Sequence, residues 1–215
     1  MCPKIEDARA TCAALHPDLF ACTETWLRCD ISDDILSICN YTLFRSDRPV
    51  KTGGGVAIYL YENVKAIILS PTIVVSPTSI ESVWLHLQSL NILFLCIYIP
   101  PGLPVKEHFE ISNFLQTNID SYLCTLKEPK VFISGDFNDF STEIICSTFY
   151  LHNVLFQTSL PVFVLTTGTS LLTVISMSTK NVQFLTILLR KVLTNSFLSV
   201  LSLFPLKISL GSPHT

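Results

Sequence analysis

The chain has 215 residues, 49% of them hydrophobic and 14% charged, with a formal net charge of −3. That length suits a single domain with a large core, or at most two small ones, and the apolar content excludes a disordered chain. The net charge excludes a global basic field that would bind nucleic acid by electrostatics alone.

Residues 5–15 place Ile5, Ala8, Cys12 and Leu15 near a helical period, and His16-Pro17-Asp18 ends the helix. Residues 19–22 read as a buried strand running into T-E-T-W-L at 23–27, which puts Glu24 at a strand's end. A lone Glu there is otherwise a surface residue or a helix-cap partner. A short strand is expected at 40–44, followed by the charged loop R-S-D-R at 45–48. Gly53, Gly54 and Gly55 come next, three of only seven glycines. Such a loop could cradle phosphate. It lacks the Lys-Ser/Thr of a P-loop, so a hairpin or a turn leading into the strand V-A-I-Y-L at 56–60 is the stronger reading.

Further strands are expected at 64–69 and 82–87, the second buried on both faces because Trp84 lies on its otherwise polar side. A long apolar strand at 91–99 ends in Y-I-P-P-G, where two prolines and a glycine force a turn. Tyr98 therefore stands at the mouth of a sheet, or is a core tyrosine with a satisfied hydroxyl. Residues 107–126 are helical, with Phe109, Phe114, Leu115, Ile119 and Leu123 on one side. The stretch V-F-I-S-G-D-F-N at 131–138 is the organising element: a short strand, a glycine that lets the backbone turn, then Asp136 and Asn138 where the strand opens. In α/β folds ligands sit at the carboxyl ends of strands. An Asx turn capping the strand is the alternative.

After Glu143 the pattern degrades. Residues 144–215 hold no Asp or Glu, and their formal charges are Lys180, Arg190, Lys191 and Lys207 alone. Apolar, Thr/Ser-rich segments remain at 154–166, 171–176 and 184–204. The eight cysteines show no C-x-x-C spacing and read as small core residues in a reducing compartment. No signal core opens the chain, and Arg190 and Lys191 interrupt its apolar tail, so neither a signal peptide nor a membrane span is expected.

T-E-T-W-L, F-R-S-D-R, G-G-G-V-A-I-Y, I-E-S-V-W-L, Y-I-P-P-G and S-G-D-F-N, in this order over residues 4–143, closely resemble the endonuclease domain of non-LTR (LINE-type) retrotransposons. That domain belongs to the endonuclease/exonuclease/phosphatase superfamily. The resemblance implies one α/β domain over residues 1–215, a four-layer sandwich of two packed mixed β-sheets flanked by helices. It implies Mg²⁺-dependent nicking of DNA, with Mn²⁺ as a substitute ion, no small-molecule cofactor, and an intracellular, nuclear setting. By motif, Glu24 matches the metal-binding glutamate and Tyr98 the tyrosine contacting the scissile phosphate. Asp136 matches the aspartate that positions or deprotonates the attacking water, and Asn138 the asparagine that holds the phosphate. These types suit the chemistry: a hard cation takes carboxylate oxygen, and a second carboxylate activates water. Arg45, Arg48 and Lys51 are expected on a surface loop as DNA contacts, or as solvated loop charges.

The departures are as informative. The family opens with an asparagine-bearing strand, whereas Met1 lies almost on the first helix, so the first strand is expected to be missing and a sheet edge left unpaired. L-T-T-G-T-S-L-L-T-V-I at 165–175 resembles the family's P-T-R-G-T-S-L-L-D-L-I. Thr166 keeps a DNA-contacting threonine, but Thr173 replaces an active-site aspartate. Asn195-Ser196-Phe197 stands where the family has S-D-H, and His152 and His214 do not fit that motif. Residues 144–215 thus read as degenerate, and the expectation is an inactive copy prone to aggregation. The alternative is a catalytically dead DNA- or protein-binding module of the same fold.

Overall fold

The computed structural model describes residues 5–49, 53–71, 79–127, 129–140, 154–157, 164–167, 170–179 and 182–191; of the last four stretches the backbone alone is described. In chain order the elements are α1 (Ile5–Leu15), β1 (Leu19–Thr23), α2 (Asp33–Leu36), β2 (Tyr41–Ser46), β3 (Val56–Tyr61), β4 (Ala66–Leu69), β5 (Glu81–Leu87), β6 (Ile92–Tyr98), α3 (Val105–Thr125), β7 (Lys130–Asp136), β8 (Val154–Gln157), β9 (Val164–Thr167), β10 (Ser170–Thr179) and β11 (Val182–Lys191).

Two sheets form. One is six-stranded, in the order β2-β3-β1-β11-β10-β9, and every pairing in it is antiparallel. The other is five-stranded, β4-β5-β6-β7-β8, and mixed: β6 runs parallel to β7 and β7 to β8. One sheet, not both, is therefore mixed. α3 is the crossover that parallel strands require between β6 and β7.

Side-chain alternation sorts the core into three slabs. Leu19 and Ala21 of β1 and Val56, Ile58 and Leu60 of β3 face Val83, Leu85, Phe94, Cys96 and Phe132 of the opposite sheet. The intervening positions turn the other way. Phe20, Cys22 and Tyr59 pack beneath Ile5, Ala8 and Cys12 of α1 and Leu36 of α2. Trp84, Leu93, Leu95 and Ile133 pack beneath Ile111, Phe114, Leu115 and Ile119 of α3. The layers are helix, sheet, sheet, helix, the expected α/β sandwich. Strands buried on both faces read as continuous apolar runs, which is why β1 and β6 are so apolar. Trp84 meets Phe114 edge-on at 6.0 Å, bearing out the two-faced burial of β5.

β1 is paired on both sides, with β3 on one and β11 on the other, and the edges of its sheet are β2 and β9. Two expectations need correcting. Phe109 does not join the core face of α3 and is 70% exposed. Ile111 takes that place, in the four-residue rhythm of Leu115 and Ile119 along one side of the helix. The cysteines divide: Cys12, Cys22 and Cys96 are buried, but Cys29, Cys39 and Cys124 are exposed.

Candidate active site

The strand register builds half of the site before any side chain is considered. Glu81 opens β5, Tyr98 closes β6 and Asp136 closes β7, and they stand side by side as Cα partners, Glu81 with Tyr98 and Tyr98 with Asp136. Each shares the parity of the residues facing the other sheet, namely Val83 and Leu85 on β5, Phe94 and Cys96 on β6, and Phe132 on β7.

The other half comes from the antiparallel sheet. Thr23 ends β1 beside Val56, which begins β3, and Ser46 ends β2 beside the same Val56. Residues 24–26, 46–48 and 53–55 therefore meet at one end of that sheet. Two backbone bonds extend the β1–β3 pairing past its end, Trp26 N–H to the Gly54 carbonyl at 2.9 Å and Thr25 N–H to the Gly55 carbonyl at 3.4 Å. Glu24 and Trp26 both adopt left-handed backbone, φ 55° and 53°. Outside glycine that costs on the order of 1–2 kcal/mol per residue.

The triple glycine does cradle anions, but they are the protein's own. Gly54 N–H donates to Glu24 Oε2 at 2.9 Å, and Gly55 N–H donates to Glu81 Oε2 at 3.3 Å. Gly55 sits at φ 88°, and a Cβ on it would lie 2.4 Å from Thr25 Oγ1. Of the two readings of this loop, the turn leading into a strand is the observed one.

Glu24 also accepts a short hydrogen bond from Trp26 Nε1 on Oε2, and the Tyr98 hydroxyl donates to its carboxylate. Burial pushes the Tyr98 phenol well above its ordinary range, and the Glu24 contact adds to this. Burial likewise holds the Asp136 carboxyl above the usual carboxylate range; the Asn138 N–H opposes that shift and the Glu24 charge reinforces it. Glu24, Tyr98 and Asp136 thus act on one another.

Asp136 is at the same time the head of an Asx turn, its Oδ1 accepting Asn138 N–H at 3.2 Å. Asn138 Nδ2 donates to the Ile99 carbonyl at 2.7 Å, which ties the end of β7 to the turn after β6. The capping turn is the observed local structure, and it leaves Asp136 beside Tyr98 at the carboxyl ends of their strands.

Arg48 and Arg45 do not stand on an open loop. Arg48 holds Glu81 through Nε at 2.6 Å and NH2 at 2.8 Å, with its guanidinium 5.4 Å from the centre of the Tyr98 ring. Arg45 lies within β2 and pairs with Asp33 at 3.1 Å and Asp47 at 3.5 Å. Lys51 lies outside the described residues, as do His152, His214 and residues 195–197. Thr166 pairs with Leu171, and Thr173 with Leu188, toward the end of the antiparallel sheet away from Glu24. The structure does not bring these threonines to the carboxylates. Glu81 stands inside the motif I-E-S-V-W-L but was given no role there; it opens β5 and so reaches the glycine loop and Arg48.

Among the described residues, no group of three or more His, Cys, Asp or Glu could hold a metal ion. The available donors are carboxylate oxygens, the type a hard divalent cation takes. Glu24 Oε2 already accepts two N–H groups, so an ion held here would find few free protein oxygens and would keep most of its water.

No family model matches this chain, and no curated protein matches it. Solved structures do. The human Nocturnin catalytic domain with bound sulfate is similar at 12% identity and a TM-score of 0.49, over 86% of this chain and 87% of that one. Truncated Caenorhabditis elegans TDP2 is similar at 14% identity and a TM-score of 0.45, over 66% of this chain. The AP endonuclease LMAP from Leishmania major is similar at 16% identity and a TM-score of 0.37, over 57% of this chain. The chain spans 57% of the TDP2 structure and 44% of the Leishmania one. No helix among the described residues is long and apolar enough to cross a membrane.

Proposed function

We propose that this chain is a retroelement-derived domain of the endonuclease/exonuclease/phosphatase type that engages DNA phosphodiesters without turning them over. The observation that carries the reading is the row of strand ends in which Gly54 N–H holds Glu24, Gly55 N–H holds Glu81, and Glu81, Tyr98 and Asp136 follow one another as Cα partners. The order of the sequence motifs supports the LINE-type origin, and with it a nuclear setting.

Each residue has a role the geometry allows. Asp136, with its carboxyl held high, is a better proton acceptor for a water than an exposed aspartate. Tyr98 and Asn138 flank it on β6 and after β7 and would orient a phosphate. Glu24 would hold Mg²⁺, which when bound supplies Lewis acidity toward the phosphate. Turnover needs more than this wall. Residues 144–215 contain no acid to stand opposite, and constellations that act as a unit lose several orders of magnitude when one member goes.

A plasmid-nicking assay with Mg²⁺ tests the reading. The expected result is no nicking above that of Asp136→Ala. Nicking that disappears in Asp136→Ala would overturn the loss of turnover. Retention of a DNA duplex that weakens as salt rises supports the binding role.

A further inference from the structure

We infer that Trp26 is a stacking surface for an unpaired nucleobase beside the Glu24 carboxylate, an inference that rests on the nucleic-acid reading above. Trp26 is 55% exposed although it is among the largest apolar side chains in the protein. The chain's other tryptophan, Trp84, is 1% exposed. The exposure of Trp26 is not slack. Its Nε1 donates to Glu24, its backbone N–H donates to Gly54, and its indole lies 3.9 Å from the position a Cβ on Gly53 would take. The ring is thus held by its edge against the glycine loop while much of its surface meets water.

The polar edge of the indole faces inward, so what remains outside is apolar π surface. Bases in a duplex are already stacked on their neighbours, whereas an unpaired base has a face to offer. Among the described residues, the arginines near this surface already have carboxylate partners, Arg48 and Arg45 with Glu81, Asp33 and Asp47, and Arg28 with Asp30 at 2.8 Å. What the ring itself offers is stacking rather than charge. Phe109 is also exposed, but it lies on α3, on the outer layer of the other sheet.

The test is titration of the full chain with oligothymidine (dT10) and with an abasic strand of equal length, read by tryptophan fluorescence and by anisotropy of labelled strands. Because Trp84 is buried, quenching reports on Trp26. The expected result is quenching by dT10, with Trp26→Ala binding dT10 about 5- to 150-fold more weakly and Trp26→Phe losing less. The abasic strand should bind wild type and Trp26→Ala alike. Bound dT10 that leaves the fluorescence unchanged, or binds Trp26→Ala as tightly as wild type, overturns the inference alone. Failure of both strands to bind overturns the nucleic-acid reading and the inference with it.

Discussion

Arg48 grips the buried carboxylate of Glu81 with two N–H groups, at 2.6 and 2.8 Å, from 33 residues away in the chain. The Glu81 side chain is 4% exposed. Breaking such a pair from one side leaves a charge in the interior with no counter-ion. Arg48→Met should therefore cost about 3–5 kcal/mol, while Arg48→Met with Glu81→Leu should fall much closer to wild type. Urea unfolding of the single and double variants measures both, and additive losses would refute the coupling.

Asp136 sets the sign of a pH effect. Burial raises its carboxyl above the unfolded value, so the folded state binds the proton more tightly. The stabilisation this brings is complete below the unfolded aspartate range, near pH ~3.9. It is lost as pH rises through the folded value. Asp136→Asn should be more stable than wild type at neutral pH and should flatten that part of the profile. Thermal unfolding from below pH ~3.9 up to neutral pH reads the difference.

Gly135 sits at φ 148°, and a Cβ there would lie 1.8 Å from the Ile97 carbonyl oxygen of the neighbouring strand. Backbone cannot yield as a flexible side chain can. Gly135→Ala should cost more than about 4 kcal/mol or abolish folding. Circular dichroism during urea unfolding would show it.

Thiol labelling should divide the cysteines by depth. Burial pushes the Cys12 and Cys96 thiols up to about 12, and that of Cys22 also well above its ordinary value. These should resist iodoacetamide in the folded protein, whereas Cys29, Cys39 and Cys124 should react. Mass spectrometry of labelled peptides checks each.

The strands were legible wherever burial on both faces made the sequence continuously apolar, as at Leu19–Thr23 and Ile92–Tyr98. α2 was not, since four residues carry no periodicity; its signal was Ser32, whose side chain caps Asp34 N–H ahead of two acidic residues. The placement of Glu24 just past the end of β1 and of Asp136 at the end of β7 was legible from the strand pattern alone. The fate of Arg45 and Arg48 was not. Local sequence cannot reveal that Glu81 waits across the sheets for Arg48, so the arginines read as loop charges. The glycine loop shows the same limit: its composition favoured a turn leading into β3, and did not reveal that Gly54 and Gly55 N–H groups would hold Glu24 and Glu81.

The two walls of the site belong to different sheets, Glu24 to one and Tyr98 with Asp136 to the other, and no strand is shared between them. Their alignment is therefore a vernier on how the sheets are docked. Sliding one sheet across the other by a single residue would carry Glu24 about 3.3 Å along the strand direction, enough to part it from Tyr98 while every ladder within each sheet stayed intact.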